Sequence, residues 1–197
     1  MPLSLTPSRT ALVLIDLQRG IVSRQTAPHA ANDVVQRATE LAHQFRRCGS
    51  VVVLVHVAYA ADGADRLAQP TDSGGWGSGK LPSDWSEIVP ELGPEPGDLV
   101  ITKHQWGAFY GTELDLQLRR RGIDTIVLGG ISTNFGVEST ARDAYERGFA
   151  LVFVEDAMAG LSAEAHAFAI GTIFPRIGRV RHTQDVLDVL REGRSST

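Results

Sequence analysis

This 197-residue sequence has one cysteine, two lysines and no long apolar stretch. A lone Cys48 closes no internal disulfide, which excludes a disulfide-stapled secreted scaffold and points to a reducing compartment. No run approaches the roughly 18 apolar residues of a membrane span. The amino end, MPLSLTPSRT, lacks the basic-then-apolar order of a leader, so a cytoplasmic chain without a membrane partner is expected. Basic residues are outnumbered 19 to 23, giving a net charge of −4, which speaks against a nucleic-acid partner. Metal-ligand spacing is missing as well: His29, His43, His56, His104, His166 and His182 are scattered, and neither a metal nor another cofactor is expected.

What is present reads as a single domain over residues 1–197, long enough to bury about 70% of its unfolded surface. Uniformly apolar runs recur at 11–16, 51–57, 98–102, 124–130 and 150–156, with a short sixth near Arg179 to Arg181. Runs without alternation suit parallel strands buried on both faces. Helical patterns fall between them at 30–48, 113–121, 134–147 and 163–173, and Thr183 is placed to cap a last helix. Gly49, Gly122 and Gly148 each stand where a helix should stop. The alternation predicts an α/β fold: a doubly wound, Rossmann-like, mostly parallel sheet of five to six strands with helices on both faces. In such a fold the ligand site lies at the strands' carboxyl ends. One irregular stretch, about 58–97, carries Trp76 and Trp85, and loops of that length are lids, interface elements or disordered. The two tryptophans make disorder the weakest of the three.

Several local patterns are candidates for chemistry. GGWGSGKL at 74–81 nearly matches a phosphate loop, but Leu81 replaces the metal-binding hydroxyl and no strand precedes it, so a flexible glycine loop is the better reading. Cys48 sits at a helix end away from any strand tip, as a small half-buried hydrophobe would. Asp16 ends the first strand, where it is placed to cap a turn, bind a cation or catalyse. Lys103 follows the third strand, as a solvated charge or as a partner for Asp16. A pair of this kind joins a proton shuttle to an anion-stabilising cation.

Three ordered motifs narrow the choice: ALVLIDLQ around Asp16, KHQWGAFYGTEL after Lys103, and GISTNFGVESTARDA at 130–144. Together they resemble the isochorismatase-like superfamily, or cysteine hydrolases, over roughly residues 8–180. The resemblance implies Asp16 as acid or base, Lys103 as its electrostatic partner and a cis peptide at Ile131–Ser132. It further implies an oxyanion hole from the backbone amides of Ser132 and Gly136. Trp106, Phe109, Tyr110 and Phe135 become candidate pocket walls, with Gln18 as a polar contact, although Phe109 and Phe135 read equally well as core aromatics. A small-molecule substrate and a homo-oligomer are also implied.

One departure is decisive for the chemistry. Where amidase members of the superfamily carry their nucleophilic cysteine, this sequence has Gly136, which closes the thioester route. Ser132, Thr133 and Ser139 offer hydroxyls nearby, but an unactivated hydroxyl is a weak nucleophile. The Asp-x-His metal motif of nicotinamidases is replaced by Leu54, Val55 and His56. Isochorismatases also lack the cysteine: an aspartate protonates the enol carbon of a vinyl ether and water completes the hydrolysis. The sequence therefore fits best a metal-independent hydrolase of a small organic acid, with isochorismate-like enol ethers the best-motivated substrates. Lys103, Arg19 and His104 are the available cations for the substrate's carboxylates. A silent ligand-binding or assembly module, and an amidase with a replaced nucleophile, are the other readings.

Overall fold

A computed structural model describes residues 3–73 and 80–195. The near-phosphate-loop pattern, for the most part, and Trp76 lie outside the described residues. Six strands, β1 (Thr10–Ile15), β2 (Val51–Val57), β3 (Leu99–Lys103), β4 (Thr125–Ile131), β5 (Ala150–Ala159) and β6 (Arg179–Arg181), form one sheet in the order β3-β2-β1-β4-β5-β6. Every pairing is parallel. The connecting helices are α1 (Arg19–Val22), α2 (Ala31–Arg47), α3 (Leu114–Arg120), α4 (Glu138–Glu146), α5 (Ala163–Phe168), α6 (Phe174–Ile177) and α7 (Thr183–Ser195).

The uniform apolar runs are explained by two cores, one on each sheet face. Leu12 and Leu14 of β1, Val52 and Leu54 of β2, and Val127 of β4 join α2 and α7 in one cluster. Ala11, Val13 and Ile15, with Val53, Val55, Ile126 and Leu128, join α3 and α4 in the other. With both faces covered, alternation between polar and apolar residues would bury polar groups without partners. The expected helix stops hold: Gly49, Gly122 and Gly148 all have left-handed φ, between 67° and 80°.

Four expectations need correction. The helix expected over 134–147 opens with a π turn (Thr133–Val137) before α4, and the one expected over 163–173 divides into α5, a second π turn (Ala169–Ile173) and the Pro-containing α6. β5 runs three residues past its expected end, because Glu155 and Asp156, which read as a terminus, find polar partners along the strand. Thr183 does not cap α7: it lies inside the helix, and its hydroxyl donates to Asp156 Oδ1 at 2.9 Å. The long loop is pinned at its far end. Arg19 N donates to Glu87 O, Val89 N to Leu17 O and Gly20 N to Trp85 O, and Val89 and Leu92 are buried in the core. No helix among the described residues is long and apolar enough to cross a membrane.

The sheet changes winding direction between β1 and β4, and there the backbones come unusually close. Gly130 has φ +124°, and a Cβ on it would stand 2.1 Å from Ile15 O. Neither atom belongs to a flexible side chain, so the collision has no cheap relief. Gly130→Ala is therefore expected to lower stability by about 3 kcal/mol or more in urea unfolding. Gly171→Ala, with open space around it and a helical neighbourhood, should change little.

Candidate active site

Asp16 leaves β1 with φ 55°, the one non-glycine residue with positive φ among the described residues, and its N–H donates to Val55 O at 2.8 Å. This turn buries the carboxyl at the mouth between β1 and β4, where doubly wound sheets place their ligands. Lys103, the last residue of β3, reaches across β2 so that Nζ donates to Asp16 Oδ2 at 2.8 Å and to Gln105 O at 2.9 Å. Both side chains are almost wholly buried, Lys103 at 1% exposure. Asp16 Oδ1 is also buried but has no hydrogen-bond partner. A buried carboxyl oxygen left unpaired is what a proton, or a substrate atom receiving one, would satisfy.

Burial pushes the Asp16 carboxyl up to about 6, against the lowering pull of the Lys103 charge and hydrogen bond and of nearby His56. Desolvation thus outweighs the opposite charge. The acid holds a proton over a substantial part of the mildly acidic to neutral range.

The segment after β4 closes the site. The Ile131–Ser132 peptide is cis, and Ser132 O accepts from the N–H groups of Phe135 and Val137, both at 3.2 Å. Gly136 follows in the π turn, pressed so close that a Cβ there would stand 3.0 Å from Asp16 Oδ2 and from Ile15 Cγ2. Its carbonyl accepts from Thr140 Oγ1 at 2.7 Å, and the same hydroxyl accepts from Ala108 N at 3.1 Å, which ties the loop after β3 to α4. Cys48 is at the C-terminus of α2, at the opposite end of the sheet, with Gln44 and Leu190 around its sulfur. The sequence holds no other thiol.

The sequence-derived residues separate into two groups. Asp16, Lys103, Gly136, Trp106 and Phe135 come together: the Trp106 carbonyl borders Gly136, and its ring meets Phe135 edge to face at 4.9 Å. Gln18 is fully buried with its amide engaged by the backbone of Val57 and Trp85. It fastens the long loop to β2 instead of presenting a free group. Phe109 packs in the core against Phe149, and Tyr110 is 77% exposed. Arg19 faces Glu87 and Asp84, while His104 rests on Ala58 O and Asp65. Tyr59 was missed by sequence reasoning. Its phenol is held back from ionising by partial burial and then by the Asp16 charge, and its ring stacks on Trp85 at 6.2 Å. Its position two residues past the end of β2, at a strand's carboxyl end, was the available signal.

Residues 10–185 match the family described as Isochorismatase domain. The chain belongs to the isochorismatase family. The isochorismatase family protein YecD of Escherichia coli O157:H7, described as uncharacterized, is 53% identical over 188 residues, 95% of this chain and all of that one. A solved isochorismatase family protein from Burkholderia thailandensis superposes with a TM-score of 0.91 at 49% identity, covering 95% of this chain and 98% of that one. Two more distant relatives carry names that state a reaction. An isochorismatase of Bacillus subtilis (strain 168) is 32% identical over 190 residues, 94% of this chain and 59% of that one. The ureidoacrylate amidohydrolase RutB of Pantoea ananatis (strain LMG 20103) is 32% identical over 213 residues, covering 92% and 83%. The protein is thus an isochorismatase-family hydrolase whose reaction the family leaves open.

The balance at Asp16 can be tested directly. Carboxyl-selective NMR should show wild-type Asp16 titrating near 6. Lys103→Met, which removes the opposing cation, should move that midpoint upward, because only burial then acts strongly on the acid. An unchanged or lower midpoint would show that the pair does not govern this proton.

Proposed function

We propose that the protein hydrolyses an enol ether of a small organic acid, of the isochorismate type, with Asp16 as general acid and no covalent intermediate. The observation that carries this reading is Asp16 itself: a buried carboxyl with a raised pKa and one unpaired oxygen, next to a glycine that offers no nucleophile. Protonated Oδ1 gives its proton to the terminal methylene carbon of the enol, and the double-bond electrons form the new C–H bond. The positive charge left on the adjacent carbon is shared with the ether oxygen. Water adds there and returns a proton to Asp16, and the hemiketal collapses to pyruvate and the alcohol. Lys103, fixed on Oδ2, stabilises the carboxylate that exists between the two transfers.

Gly136 fits this route because nothing at its position has to attack. It also leaves room beside Asp16, where a side chain would crowd the carboxyl. The amidohydrolase name among the relatives favours a second reading, an amidase pocket whose nucleophile is missing. Gly136→Cys assayed on a panel of small amides separates the two. New amidase turnover would support the amidase pocket, and a well-folded, inactive variant would remove that support.

The main test is pyruvate release from isochorismate, with chelator present, by wild type, Asp16→Asn and Lys103→Ala. Wild type should turn over, and both variants should lose a factor on the order of 100 or more in kcat/KM. Because the acid must be protonated to act, kcat/KM should fall tenfold per pH unit above about 6 and level off below it. A folded wild-type protein that releases no pyruvate would overturn the assignment.

A further inference from the structure

A second polar cluster gathers around the middle of β5 and the carboxyl end of β6, built from four segments far apart in sequence. His29 comes from the loop before α2, Glu155 from β5, His166 from α5 and His182 from the turn into α7. His29 Nε2 and His166 Nε2 stand 3.0 and 3.2 Å from Glu155 Oε1, and His182 Nδ1 stands 3.2 Å from Glu155 Oε2. The potential ligand atoms of His29, Glu155 and His166 all lie within 4.8 Å of one another. The imidazoles of His29 and His166 meet edge to face at 84°, so both Nε2 atoms aim at the same carboxylate without stacking.

We propose that His29, Glu155, His166 and His182 form a tetrahedral site for one divalent transition-metal ion of the zinc class. Three imidazoles and a carboxylate suit zinc, cobalt or nickel, whereas calcium and magnesium select oxygen ligands. A tetrahedral ion with bonds of 2.0–2.2 Å separates its ligand atoms by roughly 3.3–3.5 Å. The His29 and His166 Nε2 atoms already stand close to that distance from Glu155 Oε1, whereas His182, beside Oε2 and outside the close group of three, joins by swinging its exposed ring toward the shared centre. The outer support is in place. His166 Nδ1 lies 2.8 Å from Thr133 Oγ1, a contact that holds the ring with its other nitrogen toward the centre. The His29 loop is fastened to the end of β5 by paired backbone hydrogen bonds between Ala27 and Gly160. Four protein ligands close the coordination shell, so the ion is structural: it clamps the His29 loop, β5, α5 and the start of α7. It lies outside the Asp16 site and does not depend on the enol-ether reading.

The test uses untagged protein stripped with chelator and titrated with Zn2+ alone by calorimetry, then with Co2+ by visible absorption. Wild type should bind one Zn2+ per chain with micromolar or tighter affinity, and Co2+ should give the intense visible band of a tetrahedral ion. His29→Ala, His182→Ala and Glu155→Gln should each weaken binding by tenfold or more, and Thr133→Val by a factor on the order of 10. His43→Ala, on the exposed face of α2, should bind as wild type does. If Glu155→Gln or Thr133→Val fails to fold by circular dichroism, His182→Ala, at an exposed ring, decides in its place. No uptake, unchanged affinity in His29→Ala and His182→Ala, or only the pale spectrum of octahedral Co2+ would overturn the site.

Discussion

A carboxyl and an ammonium group buried 2.8 Å apart are the constraint around which this molecule is arranged. Withdrawing each from water costs several kcal/mol, and their attraction offsets that only when the geometry is held. Three features of the fold hold it. The parallel order β3-β2-β1 sets Lys103 two strands from Asp16, a gap that a lysine side chain spans. The loop after β3 turns back so that Gln105 O takes a second donor from the ammonium. Glycine at 130 lets β4 press against Ile15, which narrows the mouth and keeps Asp16 dry. The two partners are not equivalent: when Asp16 takes up a proton, the Lys103 ammonium still donates to Gln105 O, whereas Asp16 Oδ1 is buried with no partner.

That asymmetry gives Gly136 its chemical meaning. A thiolate at this position would lie beside Asp16 and add a like charge, raising the carboxyl further and competing for the Lys103 cation. With glycine there, no second anion enters the balance, and burial against one lysine sets the proton affinity near 6. A general acid works best when its pKa lies close to the working pH. The glycine is therefore consistent with a site tuned to deliver a proton, and a covalent mechanism would need a different neighbour.

The sheet could be read from the sequence because its physics is local: strands covered on both faces must be apolar throughout, and glycine marks the helix ends. Asp16 and Lys103 were legible for the same reason, since each directly ends an apolar run. What escaped depends on partners distant in sequence. VEDAMA reads as the end of a strand because Glu155 and Asp156 look solvated. They continue β5 only because histidines from three other segments and Thr183 receive them. The π turns escaped as well, since a helical pattern in sequence does not reveal one extra residue in a turn. Phe109 and Tyr110 share one motif with Trp106, yet one lies in the core and one in solvent, because the loop reverses between them and Gly111 takes a left-handed φ of 67° just beyond.

The two polar clusters meet in a single short segment. Between β4 and α4, Ser132 O takes the Phe135 and Val137 amides, Thr133 Oγ1 meets His166, and Gly136 O takes the Thr140 hydroxyl. Each anchor leads to a different part of the molecule: Thr133 to the imidazole–carboxylate cluster of β5 and α5, and Thr140, through Ala108, to the loop that carries Trp106. The position of Gly136 against Asp16 is thus set by two separate anchors, through Thr133 and through Thr140. A π turn has wider, weaker hydrogen bonding than an α-helix and is the more dependent on such outside support. It follows that a change at His166 or Glu155 should be transmitted to Asp16 through Thr133 before it disturbs the apolar core, since that contact is the direct side-chain link between the two clusters.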